Sequence, residues 1–378
     1  MALEIFRDYD LTHSSTFQTK AAAERFVRVE NEGELREALE SAKAENLPVT
    51  ILGGGSNTIF LSKVPGLVVK LDLRGFLLTR DEATGDTLLE AGAGETLDDV
   101  IDALLDAGVG GLENLAAIPG TVGGAVVQNA GAYGLEMAER IESVRVLRPD
   151  GSVVDYGVAD CDFGYRHSRF KTEAGKGEVI LSAVLRFPKE WVARVDYKDL
   201  EAYRKTRLEP TTPQTVAAAV RAVRAAKLPD PKEIGNAGSF FKNPVAEKLL
   251  WHHILTEHPG IPSYPLGGGR RKLAAAWLIE AAGWKGAERG SVGVYKRHAL
   301  ILVNLGGATG EDVLRVAEDI RSDVEDRFGL RLELEPVVVG EKPELPEFSR
   351  KLVVKVSKAP AGQQIFPQGL CFSRKTSL

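Results

Sequence analysis

Glycines crowd one apolar stretch of the chain, residues 111–137. Glycine permits positive φ angles and lets another backbone or a ligand approach closely. Successive backbone N–H groups in such turns form concave anion sites that suit a diphosphate. Any single glycine here is best explained by two packed layers that touch, whereas six around an apolar run favour a ligand cradle. Their spacing is not the G-x-G-x-x-G fingerprint that follows a strand and opens a helix. The six are Gly111, Gly120, Gly123, Gly124, Gly131 and Gly134.

A second glycine-rich turn follows the apolar run at residues 49–52. It reads Gly53-Gly54-Gly55-Ser56-Asn57. The turn could simply end a strand. It could also be a second phosphate-binding turn, because Ser56 and Asn57 add side-chain donors to the backbone amides. The presence of the first glycine-rich stretch favours the second interpretation.

Cationic side chains are the next candidates for a functional site. Residues 161–171 read C-D-F-G-Y-R-H-S-R-F-K and include Arg166; a charged edge strand would look similar. Further on, a helix starting at Thr212 and Pro213 is predicted, since Thr caps helices and Pro suits the first turn. Lys227 occupies the next position on its apolar stripe. That cation either extends to solvent at the helix end or faces an anion.

Small residues at 235–244, G-N-A-G-S-F-F-K-N-P, predict a loop that carries Ser239 and Asn243. The segment could be no more than a glycine-rich entry to a domain. Neither a nucleophile elbow nor a Ser-His-Asp order accompanies Ser239, so a hydrolase is disfavoured.

Composition narrows the class of protein. A chain of 378 residues predicts two or three domains, and its net charge of -5 argues against a general nucleic-acid-binding surface. Two cysteines cannot form a disulfide framework, and the neighbouring His252 and His253 lack metal-ligand spacing, so no metal is expected. The N-terminus does not resemble a signal peptide, and no apolar run approaches the ~20 residues that span a bilayer. These features predict a soluble, cytoplasmic protein that does not insert into membranes.

The elements that must position these residues alternate between strands and helices. Helix caps are expected at Asn31, Gly108 and Thr309. Residues 341–378 lack periodicity and are predicted to be poorly ordered. Strands are predicted at 26–29, 49–52, 67–71, 143–147, 152–156, 179–187, 299–304 and 330–334, and helices from 31, at 97–105, from 212, at 273–282 and at 313–328.

Taken together, the motifs resemble the UDP-N-acetylenolpyruvoylglucosamine reductases, the MurB family of flavoenzymes in bacterial peptidoglycan precursor synthesis. The resemblance runs from about Thr16 to Gly340. Residues 189–191 (K-E-W) with Tyr197 resemble the type of this family that has an extra substrate-covering loop. The matching blocks are I-L-G-G-G-S-N at 51–57, the stretch at 111–137, F-G-Y-R-H-S-R-F-K at 163–171, K-L-P-D-P at 227–231, G-N-A-G-S-F-F-K-N-P at 235–244, K-L-A-A-A-W-L-I-E at 272–280 and L-E-L-E-P at 332–336.

The resemblance implies a mixed α+β and α/β fold: a two-part FAD-binding fold of the PCMH type with a third, α/β substrate-binding domain. We predict FAD-binding subdomains at 1–75 and 76–228, a substrate-binding domain with a C-terminal catalytic strand at 229–340, and a tail at 341–378. FAD would be held noncovalently and NADPH would reduce it. Hydride would then pass to the enolpyruvyl group of UDP-N-acetylglucosamine enolpyruvate to give UDP-N-acetylmuramate. A monomer is expected.

The resemblance also assigns residues. Ser239 matches the family's proton donor and Arg166 its substrate-polarising arginine. Glu335 matches the catalytic carboxylate and is preferred to Glu333 by counting back from Gly340. Substrate-binding residues would be Tyr197, Lys227, Asn243 and Lys272. Cofactor-binding residues would be Gly53, Gly54, Gly55, Ser56, Asn57, Pro119, Gly120, Thr121, Gly123, Gly124, Asn129, Gly131, Ala132 and Tyr133.

The chemistry of these side chains agrees with such roles. Hydride addition to a vinyl carbon places negative charge α to a carboxylate and so creates an enolate, which needs a fixed cation and a proton source within reach. The fork of Arg166 suits a carboxylate. Two alternatives remain open: a flavin oxidase or dehydrogenase acting on an alcohol or hydroxy acid, and a non-catalytic FAD-binding protein with a decayed site. The first would not need NADPH, and the joint presence of Ser239, Arg166 and Glu335 argues against the second.

Overall fold

The structure, a computed structural model, describes residues 3–205 and 210–341. The predicted tail therefore lies outside the described residues except for Glu341. The helices are α1 Glu32–Ala44, α2 Leu97–Asp106, α3 Val122–Gln128, α4 Lys198–Lys205, α5 Pro213–Lys227, α6 Lys248–Glu257, α7 Ala275–Ala281 and α8 Gly310–Phe328. The strands are β1 Phe6–Asp10, β2 Ala22–Val29, β3 Val49–Leu52, β4 Thr58–Phe60, β5 Lys63–Leu71, β6 Phe76–Arg80, β7 Thr87–Gly92, β8 Gly131–Ala132, β9 Leu135–Glu136, β10 Ile141–Leu147, β11 Val153–Gly157, β12 Val179–Phe187, β13 Val245–Ala246, β14 Ser263–Pro265, β15 Arg271–Leu273, β16 Glu288–Arg289, β17 Val292–Val294, β18 Leu302–Asn304 and β19 Val337–Val339.

The first part of the chain forms a four-stranded sheet in the order β1-β2-β5-β3. β2, β5 and β3 are parallel, and β1 adds an antiparallel edge. Helix α1 is the crossover that connects β2 to β3, two parallel strands on either side of β5. The predicted cap at Asn31 is confirmed, because its side chain accepts the backbone N–H of Glu34 at 3.0 Å. The carboxyl end of β3 leads directly into the turn at 53–57.

The second part is a five-stranded antiparallel sheet in the order β11-β10-β12-β7-β6. Helices α2, α3 and α5 contribute to the same hydrophobic core as this sheet and as α1. The predicted strands at 143–147, 152–156 and 179–187 correspond to β10, β11 and β12. Helix α5 starts as expected, with the Thr212 hydroxyl accepting the N–H of Thr215.

The third part combines two small sheets, β13-β15-β14 and β16-β17-β18, with α6, α7 and α8 around a separate core. The predicted cap of α8 is confirmed, since Thr309 and Asp312 form a reciprocal capping box. The helix predicted at 273–282 begins later, at Ala275, because residues 271–273 pair as β15 between β13 and β14.

The C-terminal strand of the described chain returns to the first part. β19 pairs in parallel with β4, with Val338 opposite Ile59. The strand predicted at 330–334 is wrong: this segment is irregular, and within the described residues its β pairing is limited to an isolated bridge between Leu334 and Phe241. The extended pairing starts at Val337, where β4 offers a free edge. This return brings residues 333–336 beside the glycine turn at 53–57.

Candidate active site

A cleft of about 440 Å³ opens between the glycine turn at 53–57 and the start of α3. The two turns touch: a Cβ on Gly54 would lie 2.7 Å from the Cα of Gly120, and one on Gly120 would lie 2.7 Å from the Ser56 hydroxyl. Gly120 also has a φ of +125°, which disfavours any side chain. The two interpretations of the glycines, close packing and a ligand cradle, are therefore compatible, because the closely packed turns form a wall of the cleft.

The turn at 53–57 has the backbone donors that an anion needs. Within the described chain, the N–H groups of Gly54, Gly55 and Ser56 donate to no protein acceptor. At α3 the situation differs, since the N–H groups of Val122 and Gly123 already donate to the carbonyls of Glu95 and Ala93. The turn after β3, rather than the start of α3, is thus the better cradle for a diphosphate.

A cation lies under this turn. The ammonium of Lys70, on β5, donates to the carbonyl of Gly53. Burial lowers the pKa of Lys70, with Asp72 opposing that shift. A glycine-walled cleft, unpaired backbone donors and a nearby ammonium fit the predicted FAD, whose diphosphate the turn at 53–57 would hold.

Arg166 projects into the same cleft. Its backbone is left-handed, with a φ of +52°. Its Nε donates to Glu335 Oε1 at 2.8 Å and one terminal nitrogen donates to the Gly131 carbonyl at 3.0 Å. Arginine has five N–H donors, so three stay available for a ligand. The guanidinium is held from two sides and points a fixed positive charge at the cleft.

Two backbone contacts place Glu335 opposite Arg166. Its N–H donates to the Phe240 carbonyl at 3.0 Å, and its carbonyl accepts the Asn57 amide at 3.2 Å. The side chain of Glu335 is 15% exposed, whereas that of Glu333 is 75% exposed and pairs with Lys242. The geometry therefore favours Glu335 over Glu333 as the carboxylate of the cleft.

Ser239 lines the cleft on the loop between α5 and β13. Gly238, with a φ of +67°, and a hydrogen bond from its N–H to the Asn236 side chain set the turn before it. The next residue is fixed by Phe240 N–H donating to Leu300 at 2.8 Å. Among the described residues the Ser239 hydroxyl has no hydrogen-bond partner. A rigid loop thus presents a free hydroxyl to the cleft.

The predicted substrate residues lie outside this cleft lining, in two groups. In one group, Lys227 pairs with Asp199 of α4 at 2.5 Å, and Tyr197 packs edge-on against Tyr133 with ring centroids 5.2 Å apart. Sequence reasoning did not single out Asp199. Nothing in its type or spacing pairs it with a lysine on another helix.

The second group adjoins Arg166. The Lys272 ammonium lies 4.3 Å from the centre of the Tyr165 ring, and the Arg166 guanidinium carbon lies 5.4 Å from it. Asn243 accepts the Ala275 N–H at 2.9 Å and also interacts with Tyr165. Asn243 and Lys272 therefore surround the tyrosine next to Arg166.

Most of the predicted cofactor residues line the cleft, and so do all three predicted catalytic residues. The exceptions are Asn129, Ala132 and Tyr133. Asn129 supports the loop after α3, because its amide donates to Glu136 and Gly164 and accepts the N–H of Ala138. The cofactor residues in the lining are Gly53, Gly54, Gly55, Ser56, Asn57, Pro119, Gly120, Thr121, Gly123, Gly124 and Gly131.

The cationic cluster at 161–171 separates into two roles. Arg169 pairs with Glu178 at 3.0 Å and lies over the Tyr156 ring, which is a structural arrangement. Lys171 instead points toward Arg166 and donates to its carbonyl at 3.0 Å. Gln128 and Arg224 also line the cleft, although the sequence did not single them out; burial lowers the pKa of Arg224.

Within the described residues, no group of three or more His, Cys, Asp or Glu side chains could hold a metal ion, and no helix is long and apolar enough to cross a membrane.

Family models and proteins of known name match this chain over most of its length. A family model for an FAD binding domain matches residues 23–157, and a model for the C-terminal domain of UDP-N-acetylenolpyruvoylglucosamine reductase matches residues 230–339. These matches confirm the predicted fold class. The protein called UDP-N-acetylenolpyruvoylglucosamine reductase in Paraburkholderia phymatum is 45% identical over 89% of this chain and 98% of its own length. Its counterpart in Azoarcus sp. is also 45% identical, over the same shares of both chains.

A solved structure supports the same assignment. The crystal structure of UDP-N-acetylenolpyruvylglucosamine reductase (MurB) from Thermus caldophilus has 27% sequence identity and a TM-score of 0.61, and the match covers 90% of this chain and 99% of that one. Identity at this level over nearly the whole length of its relatives leaves one conclusion: the chain belongs to the UDP-N-acetylenolpyruvoylglucosamine reductase family.

Proposed function

We propose that this protein is an NADPH-dependent flavoenzyme that reduces the enolpyruvyl group of UDP-N-acetylglucosamine enolpyruvate to UDP-N-acetylmuramate. The observation that carries the proposal is the convergence of Arg166, Glu335 and Ser239 on one cleft walled by two glycine turns. The three residues come from three distant parts of the sequence. A protein that only bound FAD would not need them together.

FAD, when bound, supplies the hydride chemistry, and the protein supplies position and electrostatics. The turn at 53–57 would hold the diphosphate through the free N–H groups of Gly54, Gly55 and Ser56. Gly123 and Gly124 line the same cleft without side chains, so a large flat ligand could lie close to the backbone there.

Arg166 would bind the carboxylate of the enolpyruvyl group. When the terminal vinyl carbon receives hydride, negative charge develops on the carbon next to the carboxylate and spreads onto the carboxylate oxygens. A guanidinium already fixed by Glu335 and Gly131 does not need to reorganise as that charge develops. Lys171 adds positive charge nearby, since it interacts electrostatically with Arg166, Glu335 and Lys242.

Ser239 would donate the proton that completes the reduction. Its hydroxyl is free of protein partners within the described chain and lies in the same cleft as Arg166. A serine hydroxyl is a weak acid, so the cationic surroundings must assist it. Glu335 can orient Arg166, the substrate or a water molecule.

Binding of the sugar nucleotide would use the two groups outside the cleft lining. Lys227, paired with Asp199, and Tyr197 form one group. Asn243 and Lys272 form the other, beside Tyr165. We further propose the domain limits given above, action as a monomer and a cytoplasmic location.

The proposed function is tested by recording the visible spectrum of the purified protein and then adding NADPH without oxygen, with and without the UDP-enolpyruvyl sugar. We expect a yellow protein that releases FAD on denaturation, is bleached by NADPH and regains colour with the sugar nucleotide. A colourless protein that cannot be reconstituted with FAD would overturn the proposal. Bleaching by an alcohol or hydroxy acid instead of NADPH would favour the alternative oxidase or dehydrogenase.

A further inference from the structure

Arg166 has an unusual backbone conformation. Its φ of +52° lies in the left-handed region, which a residue with a side chain adopts only when its surroundings impose it. Two hydrogen bonds between Gly164 and His167, of 3.0 and 3.1 Å, close a tight turn around Arg166. A third contact comes from a side chain: the Lys171 ammonium donates to the Arg166 carbonyl at 3.0 Å.

Lys171 has a second partner on the wall of the cleft. Its ammonium also donates to Oε1 of Gln128 at 2.7 Å. Gln128 is the last residue of α3 and lines the cleft. An ammonium has donors but no acceptor, so the Gln128 oxygen must face Lys171. The amide NH2 of Gln128 is then the end that remains for a ligand. Lys171 therefore determines that Gln128 offers donors, and not an acceptor, to the cleft.

The charges around Lys171 do not neutralise it locally. Within the described residues no carboxylate lies within 4.0 Å of its ammonium. The charged groups that act on it are Lys242, Arg166 and Glu335, and Glu335 is already paired with Arg166. Burial, followed by the repulsion of Lys242, lowers the pKa of Lys171 to about 8. An anion in the cleft would reverse part of this effect, because it favours the charged ammonium.

We propose that Lys171 is a positioning residue for the reduction: its charged ammonium holds Arg166 in the left-handed conformation and turns the amide nitrogen of Gln128 toward the ligands. This role rests on the proposed function. It adds Lys171, which would act on the reaction through its contacts with Arg166 and Gln128. When Lys171 loses its proton, the neutral amine keeps two N–H groups for its two acceptors, but both hydrogen bonds lose the assistance of the positive charge. The fork of Arg166 and the amide of Gln128 are then held less firmly.

The test compares Lys171→Met and Lys171→Arg with Lys176→Met. Lys176 is a matched control because its side chain is 75% exposed and, among the described residues, pairs only with Glu173, at 3.3 Å. Steady-state rates are measured from pH 6 to 10 for the FAD-loaded proteins. For the wild type, kcat/KM should fall as the pH rises above about 8, because the FAD diphosphate raises the pKa of Lys171 again from its value in the empty cleft. Lys171→Met should be ~10–100-fold slower at pH 7, as expected when a reacting group loses its alignment, and its rate should no longer change in that range. Lys171→Arg should recover part of the rate and keep it to higher pH, and Lys176→Met should match the wild type.

A second measurement does not depend on turnover. Protein labelled with [6-¹³C]lysine is titrated by NMR without FAD, and the Lys171 signal is identified by its loss in Lys171→Arg. We expect one lysine with a midpoint near 8, which Gln128→Glu should raise by supplying a carboxylate partner.

The outcomes separate the two proposals. If the wild type does not turn over the UDP-enolpyruvyl sugar, the proposed function fails and the role of Lys171 fails with it. If the wild type turns over but Lys171→Met matches Lys176→Met in rate and pH profile, or if no lysine titrates well below its ordinary range, only the role of Lys171 is overturned. A melting temperature that falls in Lys171→Met with an unchanged pH profile would show a merely structural lysine.

Discussion

Arg166 and Glu335 are 169 positions apart in the sequence, and their side chains meet with Nε 2.8 Å from Oε1. Two backbone features bring them together. The pairing of β19 with β4 carries Glu335 back to the first glycine turn, and the left-handed turn at Arg166 directs its side chain toward the same place. The pair thus joins the middle of the described chain to its C-terminal part at the cleft.

The first prediction concerns this pair. Arg166→Lys should lower the rate at which the substrate reoxidises the flavin by roughly 10²–10³-fold, as is typical when a preorganised donor to a developing oxyanion is lost. A lysine cannot contact Glu335, Gly131 and the substrate at once. Stopped-flow absorbance of the reduced enzyme mixed with substrate measures this rate. Arg145→Lys, at an exposed position of β10, is the control.

A double-mutant cycle with Glu335→Gln tests whether the two residues act as a unit. If Glu335 works mainly by holding Arg166, the double variant should be little worse than Arg166→Lys alone. Fully multiplicative losses would show that Glu335 acts independently, for example on a water molecule or on the proton transfer.

The second prediction concerns the contact between the glycine turns. Gly54→Ala should raise the dissociation constant for FAD roughly tenfold or more and lower the melting temperature, because its Cβ would lie 2.7 Å from the Cα of Gly120. FAD titration of the apoprotein measures the first effect and thermal unfolding the second. Gly260→Ala is the control, since a Cβ there meets nothing within 4 Å. Equal FAD binding by both variants would remove the turn from the proposed site.

Local signals in the sequence predicted the capped helices well. Asn31, Thr212 and Thr309 each cap the helix that follows them, since a cap and an apolar stripe act over a few neighbouring residues. Helix α3 was not predicted, because its sequence V-G-G-A-V-V-Q has two glycines of poor helix propensity. Tertiary contacts hold its first turn, through the carbonyls of Ala93 and Glu95.

Long-range relationships were not predictable from the residues alone. The pairing of β19 with β4 joins strands nearly a chain length apart, and no local pattern specifies such a partner. The resemblance supplied Arg166, Ser239 and Glu335. It did not supply the Asp199–Lys227 pair or the contact between Lys171 and Gln128, because each depends on how separate elements pack.

The third prediction separates the two explanations of Lys227. Its ammonium lies 2.5 Å from Asp199, so a substrate diphosphate would have to compete with that carboxylate. Asp199→Asn should lower the KM for the sugar nucleotide several-fold, whereas Lys227→Ala should raise it. Neither should change the KM for a substrate fragment without phosphates. Glu201→Gln, which breaks an exposed pair with Lys205 on the same helix, is the control. If Lys227 only stabilises the end of α5, KM should stay constant and the melting temperature should fall.

The fourth prediction divides the reaction at Ser239. The reduction of the flavin by NADPH delivers no proton to the enolpyruvyl carbon, so Ser239→Ala should leave that rate near the wild-type value. Reoxidation by the substrate should slow by ~10²–10⁴-fold, the usual effect of losing a positioned acid. Anaerobic stopped-flow measures both steps. Because the hydroxyl has no partner in the described part of the chain, the melting temperature should not change.

The variant Ser239→Cys is a further test of Ser239 as the proton donor. A thiol has a lower pKa than a hydroxyl and can donate a proton from nearly the same place, so it should restore part of the reoxidation rate. Ser152→Ala, in the turn between β10 and β11, controls for the loss of a hydroxyl elsewhere. Equal slowing of both half-reactions in Ser239→Ala would mean that the loop from Asn236 to Phe240 only positions ligands. The proton must then come from another group in the cleft, and a water molecule held by Glu335 would be the next candidate, because that carboxylate lies in the same lining.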